Sequence, residues 1–161
     1  MITKEQLTKL FYWGNKTTFP LRKEGITSKY MGYDVFISYV KYGKNEKRYR
    51  KKLFDDDIYE IIKNEEIYGV AYLKYSAHVD AKPHKDFNLW DKDFLRIQIP
   101  LKLPQGNKCY IEFIDTGEKF YWQEGKVEIF NVEKLHQGKN DSDETMEFLY
   151  VDINPDTEVE L

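Results

Sequence analysis

A mainly β domain fronted by helices is the fold class predicted for this 161-residue chain, and two observations predict it. From Val70 onward, short runs rich in β-branched and aromatic residues follow one another at regular spacing: VAYLKYSAHV, FLRIQIPLKL, CYIEFID, EKFYW, KVEIF and MEFLYVDI. Turn residues separate several of them, as Pro-Gln-Gly-Asn at 104–107, Thr-Gly-Glu at 116–118 and Glu-Gly-Lys at 124–126. Such a series builds a sandwich, a barrel or a jelly roll. Ahead of Val70 the pattern is helical, which divides one domain over 1–161 into an N-terminal part of about 1–69 and a β core of about 70–154.

The first element is predicted from Thr3-Lys4-Glu5-Gln6, which has the form of a capping box, followed by Leu7, Leu10 and Phe11 at helical spacing. Gly14 and Asn15 are expected to end that helix. YDVFISYVKY, residues 33–42, reads as a strand. DDDIYEIIKNEEIYG then reads as a second helix, opened by N-cap aspartates, with Ile58, Ile61 and Ile62 on one face and Gly69 closing it. The last strand, MEFLYVDI, sends Met146, Phe148 and Tyr150 to one side and Glu147, Leu149 and Val151 to the other. The acidic tail NPDTEVEL is expected to fray.

A net charge of -3, with both signs spread along the chain, gives no global pull towards nucleic acid or an anionic membrane. Local positive charge is concentrated in KYGKNEKRYRKK, residues 41–52, read as a solvated loop or hairpin rather than a nucleic-acid grip. The lone Cys109 rules out an intramolecular disulfide and fits a reducing, cytoplasmic setting. No apolar run approaches the roughly 18 residues that a membrane span needs.

The chemistry lies with three histidines, His78, His84 and His136. His-x-Asp occurs twice, as His78-Val79-Asp80 and His84-Lys85-Asp86. Residues i and i+2 of a strand share a face, so either pair can chelate a metal together with a distant histidine, in the two-histidine, one-carboxylate manner of non-haem iron. Spacing alone leaves both open.

Tyr75 to Phe87, Y-S-A-H-V-D-A-K-P-H-K-D-F, resembles the prolyl-hydroxylase type of 2-oxoglutarate oxygenase, in which a strand tyrosine is followed after a loop by K-P-H-x-D and an aromatic. That resemblance selects His84 and Asp86 and leaves His78 and Asp80 in a connecting loop. The second half resembles the aspartyl/asparaginyl β-hydroxylase family. Trp122, Glu124 and Gly125 match its Trp-x-Glu-Gly turn, and Ile129 and Phe130 match the strand that follows. His136 stands at the metal histidine, Asn140 at the asparagine four residues on, and Asp152 at the end of the closing strand; the register extends back to Arg96.

The resemblance implies a double-stranded β-helix, a cupin-like jelly roll flanked by N-terminal helices. It also implies Fe(II) held by His84, Asp86 and His136, with 2-oxoglutarate as cosubstrate near Arg96, Tyr75 and Gln98. The activity implied is hydroxylation of a small-molecule or peptide substrate. Trp122 and Tyr121 are read as core and turn packing. Two departures stand out: the β-hydroxylases have glycine where this chain has Asp86, and their basic residue on the last strand, which pairs with the distal carboxylate of 2-oxoglutarate, falls on Met146. The second departure supports the alternative of a non-catalytic jelly-roll module that binds a metal or ligand.

Overall fold

A computed structural model describes residues 1–20, 33–41, 51–86, 88 and 90–161. The basic segment 41–52 therefore falls mostly outside the described residues. Helix α1 spans Lys4–Lys16, a short 3-10 turn Lys51–Leu53, and helix α2 Asp56–Ile62. The strands are β1 Tyr33–Val40, β2 Ile67–Tyr75, β3 Asp80–His84, β4 Leu95–Lys102 and β5 Cys109–Phe113. They continue as β6 Glu118–Tyr121, β7 Glu128–Phe130, β8 His136–Asn140 and β9 Met146–Ile153. Among the described residues these strands form a five-stranded sheet in the order β1-β2-β9-β4-β7 and a four-stranded sheet in the order β3-β8-β5-β6, with every strand pair antiparallel. Two facing sheets with these crossovers make the double-stranded β-helix that the sequence predicts.

Alternation in the strands sorts the core into two layers. Val70 and Tyr72 of β2, Ile97, Ile99 and Leu101 of β4, and Leu149, Val151 and Ile153 of β9 face outward from the large sheet. Leu7, Leu10 and Trp13 of α1 and Ile58, Ile61 and Ile62 of α2 cover them. At about 1.5–3 kcal/mol for each large apolar side chain taken from water, this layer is what holds the helices on the sheet. The opposite faces of the same strands point between the sheets: Leu73 and Tyr75, then Met146, Phe148 and Tyr150, meet Ala81, Cys109, Ile111, Trp122 and Phe130. Met146 thus lies in the interior with Phe148 and Tyr150, as alternation requires, while Glu147 on the other face bonds the Tyr72 hydroxyl.

The capping box forms as read: the Thr3 hydroxyl accepts from the Gln6 N–H, and the Gln6 side chain accepts from the Thr3 N–H. The expected ends of both helices need correction. Helix α1 runs through Gly14 and Asn15 to Lys16, with Thr17 as its cap. Gly14 is there for close approach, because a Cβ on it would come within 2.8 Å of Leu101 Cδ2. Helix α2 ends at Ile62, and Gly69 lies inside β2. The Asn64 side chain turns the chain by accepting from the Glu66 N–H, and residues 67–75 then gain partners on both sides, β1 and β9. That pairing outweighs the helical spacing of the local sequence.

The tail is tied down rather than frayed. Ile2 bridges Val159 in parallel, its N–H donating to the Glu158 carbonyl at 2.8 Å and its carbonyl accepting from the Glu160 N–H at 3.0 Å. Among the described residues no helix is long and apolar enough to cross a membrane.

Candidate metal centre

The site is assembled where β3 pairs β8. His84 is the last residue of β3 and lies directly opposite His136, the first residue of β8. Their ring centroids are 4.6 Å apart. Asp86 follows two residues beyond β3, where its N–H donates to the Val132 carbonyl at 3.0 Å and returns the chain to the same mouth of the barrel. Asp86 Oδ1 lies 3.1 Å from His84 Nε2 and 3.4 Å from His136 Nε2. One ligand atom from each residue lies within 4.8 Å of the other two.

Both imidazoles are oriented from behind. His84 Nδ1 is 2.5 Å from the Lys82 carbonyl and His136 Nδ1 is 2.7 Å from the Lys134 carbonyl. A carbonyl oxygen only accepts, so each Nδ1 carries a proton and each Nε2 presents a lone pair, unless a second proton makes the ring cationic. Two nitrogen lone pairs and a carboxylate oxygen then converge with no donor among them. Such a set requires a cation at its centre, a proton or a metal, and its ligand chemistry fits a divalent ion of the iron type.

Behind Asp86 stands a second acid. The Arg96 guanidinium donates through Nε to Asp152 Oδ1 at 2.6 Å and through Nη2 to Asp152 Oδ2 at 2.8 Å, while Nη1 donates to Asp86 Oδ2. Trp90 Nε1–H donates to Asp152 Oδ2 at 3.0 Å. Burial raises the Asp86 pKa, but hydrogen bonds with His136 and His84 and the charge of Arg96 outweigh it, and the carboxyl is held well below the usual range. For His84, burial acts downward, yet the Asp86 and Lys82 hydrogen bonds prevail and the net shift is upward.

Three phenols border this network. Tyr33 stacks on Tyr75 at 4.7 Å between centroids, Tyr75 is hydrogen-bonded to Tyr150, and the Arg96 guanidinium lies 4.7 Å from the Tyr150 ring centroid. Burial first, then the nearby Asp86, pushes Tyr33 up to about 12. Tyr75 and Tyr150 are raised too, chiefly by burial, so all three hydroxyls stay protonated near neutral pH.

Of the residues expected to serve cosubstrate, Tyr75 lies in this group, Arg96 is bonded to both acids, and Gln98 accepts from Trp122 Nε1–H at 2.7 Å. Trp122 is buried against Phe148, as packing requires. His78 and Asp80 stay outside: His78, with 64% of its side chain exposed, faces Asp143 at 2.6 Å, and Asp80 faces Lys139. The sequence reading assigned no role to Trp90, Tyr33, Tyr150 or Asp152 as neighbours of the centre. The register supplies the missing signal, since Arg96 pairs with Asp152 and Gln98 with Tyr150 across β4 and β9.

Solved structures similar to the chain include several described as cupins. A predicted oxalate decarboxylase from Thermotoga maritima is 14% identical, TM-score 0.48, with 87% of this chain and 95% of that one covered. An RmlC-like cupin from Desulfovibrio desulfuricans is 9% identical, TM-score 0.47, with 84% and 94% covered. A cupin domain from Schizosaccharomyces pombe is 12% identical, TM-score 0.43, with 56% of this chain covered; the match spans 58% of that chain. No curated protein matches the sequence. The model of the aspartyl/asparaginyl beta-hydroxylase family matches residues 42–155, a span that holds His84, Asp86, Arg96, His136 and Asp152. On that match over most of its length, the chain belongs to the aspartyl/asparaginyl beta-hydroxylase family.

Proposed function

We propose that this member of the family is an Fe(II)- and 2-oxoglutarate-dependent hydroxylase that acts on a small-molecule or peptide substrate in a reducing, cytoplasmic setting. The observation that carries the reading is the convergence of His84 Nε2, His136 Nε2 and Asp86 Oδ1 on one point at the mouth of the jelly roll. Iron bound there supplies dioxygen activation coupled to oxidative decarboxylation of 2-oxoglutarate to succinate and CO2, with hydroxylation of a substrate C–H bond.

The chain's own residues supply position and charge. The Lys82 and Lys134 carbonyls hold the two imidazoles with Nε2 inward. Two carboxylates, Asp86 and Asp152, against one guanidinium leave one excess negative charge, which favours a divalent cation over none. Arg96 uses three of its five N–H donors on the two acids and keeps two for a cosubstrate carboxylate. Tyr75 is a neutral hydroxyl bonded to Tyr150, whose ring lies against Arg96, and the Trp122 bond fixes Gln98 with its oxygen towards the indole.

A second reading is supported by Met146, which is 0% exposed and cannot pair with a carboxylate, and by the prior engagement of Arg96 with two acids. It is a cupin-type metal-binding module without oxygenase turnover. The experiment is succinate release on addition of Fe(II), ascorbate and 2-oxoglutarate, beside calorimetric titration of the Mn(II)-loaded protein with 2-oxoglutarate. The hydroxylase reading expects both signals. Protein that binds Mn(II) but shows no 2-oxoglutarate affinity at millimolar concentration refutes it and supports the module.

A further inference from the structure

We infer that Asp152 is a positioning residue for the metal ligand Asp86, acting through Arg96; the inference rests on the reading of His84, Asp86 and His136 as a metal centre. Asp152 sits on β9 directly opposite Arg96 on β4, so the contact is built into the strand register. Only 4% of Asp152 is exposed, and both its oxygens are engaged, Oδ1 by Arg96 Nε and Oδ2 by Arg96 Nη2 and Trp90 Nε1. This is the side-on, bidentate pairing that a guanidinium makes with a carboxylate in its most favourable geometry.

The consequence falls on Asp86. With Nε and one Nη2 N–H committed to Asp152, the guanidinium is held in place, and it meets Asp86 through Nη1 to Oδ2 alone. Asp86 Oδ1 is left facing the two imidazole nitrogens. Without Asp152, the guanidinium is free to turn, and a fork of two N–H groups can then reach both oxygens of the Asp86 carboxylate, which takes Oδ1 from the metal. Asp152 thus makes Arg96 a one-point tether instead of a two-point competitor. Trp90 holds the far side of Asp152, and its ring is itself fixed against Gly69 of β2.

The test reads metal binding directly, by calorimetry with Mn(II) and by the visible absorption of Co(II), on wild-type, Asp152→Asn, Arg96→Gln and the double variant, each checked for folding by circular dichroism. Asp152→Asn is expected to weaken Mn(II) binding by about tenfold to a hundredfold, the range for lost outer partners of metal ligands. Its Co(II) spectrum should move towards that of Asp86→Ala. In the Arg96→Gln background the same Asp152→Asn change is expected to cost little, since the competing fork is gone.

An equal loss of affinity in both backgrounds overturns the inference, because it is what simple removal of a nearby negative charge does. So does a wild-type affinity and spectrum in Asp152→Asn. Should the asparagine variant not fold, Asp152→Glu keeps the charge and displaces the carboxylate by one methylene: an altered Co(II) spectrum is expected, and an unaltered one counts against the inference. Failure of wild-type protein to bind Mn(II) or Co(II) removes the metal centre itself and the inference with it. Metal binding by wild-type with an indifferent Asp152 removes the inference alone.

Discussion

Loading the centre with a divalent metal should expel a proton from His84, so that metal affinity falls as the pH drops. His84 Nδ1 donates to the Lys82 carbonyl, and any second proton must therefore sit on Nε2, facing Asp86 Oδ1 at 3.1 Å, where the metal is expected. The Asp86 and Lys82 contacts outweigh burial and raise the His84 pKa above its ordinary value of about 6.5. At pH 5.5, about one unit below even the ordinary value, roughly nine-tenths or more of His84 carries the competing proton. Apparent affinity for Mn(II) should then be at least about tenfold weaker than its high-pH plateau, or about 1.4 kcal/mol.

Metal-free stability has the opposite sense for this residue. A raised histidine contributes stability that is complete below about pH 6.5 and is lost as the pH rises through its folded pKa, whereas the lowered Asp86 contributes above about pH 3.9 and loses that as the pH falls through its own. The pair is therefore strongest between about pH 4 and 6.5, and the metal-free Tm should decline from pH 6 to 8 while that of the Mn(II) form does not. Calorimetry at pH 6 in buffers of different ionisation enthalpy counts the protons released. Zero release, with an affinity independent of pH between 5.5 and 7.5, would refute Nε2 of His84 as the ligand atom.

Three further outcomes are expected. His84→Ala and His136→Ala should each abolish metal binding and succinate release while leaving far-UV circular dichroism unchanged, because both rings lie at the ends of their strands and the strand pairing is made by backbone; Asp86→Ala should be milder. Met146→Arg buries a guanidinium beside Trp122 and Phe148 at a cost of several kcal/mol, and at about 2–4 °C per kcal/mol its Tm should fall by roughly 5–15 °C, with partial recovery on addition of Mn(II) and 2-oxoglutarate. Gly69→Ala places a Cβ 2.3 Å from Trp90 Cη2 and should cost about 1–3 kcal/mol by thermal melting, since the indole must shift and with it the bond to Asp152.

The parts of the fold legible in the sequence are those whose local pattern agrees with their tertiary partners. Strand β9 alternates as MEFLYVDI requires because its two faces meet two different apolar layers. Helix α1 begins directly after its N-cap Thr3 because the capping box closes within four residues of chain. Strands β3 and β8 are different. Asp-Ala-Lys-Pro-His and His-Gln-Gly-Lys-Asn have little β propensity; β3 becomes a strand through pairing with β8, Asp80 with Lys139, Ala81 with Gly138 and His84 with His136, and β8 through pairing with β5 on its other side. Motif resemblance located the histidines, but their apposition is a long-range property. The same holds for Asp152, 56 residues from Arg96 and 62 from Trp90 in sequence, which meets Arg96 only when β4 and β9 are in register.

The two departures from the family pattern act in one electrostatic direction. Asp86 in place of glycine adds a negative charge to the interior, and Met146 in place of a basic residue removes a positive one, so the space between the sheets is two charges more negative than that pattern prescribes. With a divalent metal bound as proposed, the metal, Asp86, Asp152 and Arg96 would together carry one net positive charge, which a dianionic cosubstrate would overcompensate. In the family pattern the same dianion leaves the site positive. Three neutral phenols supply hydrogen-bond donors at this point but no charge. On the proposed hydroxylase reading, the expected outcome is a 2-oxoglutarate affinity lower than a site with a second buried cation would provide, and a correspondingly strong dependence on the two N–H groups that Arg96 has left.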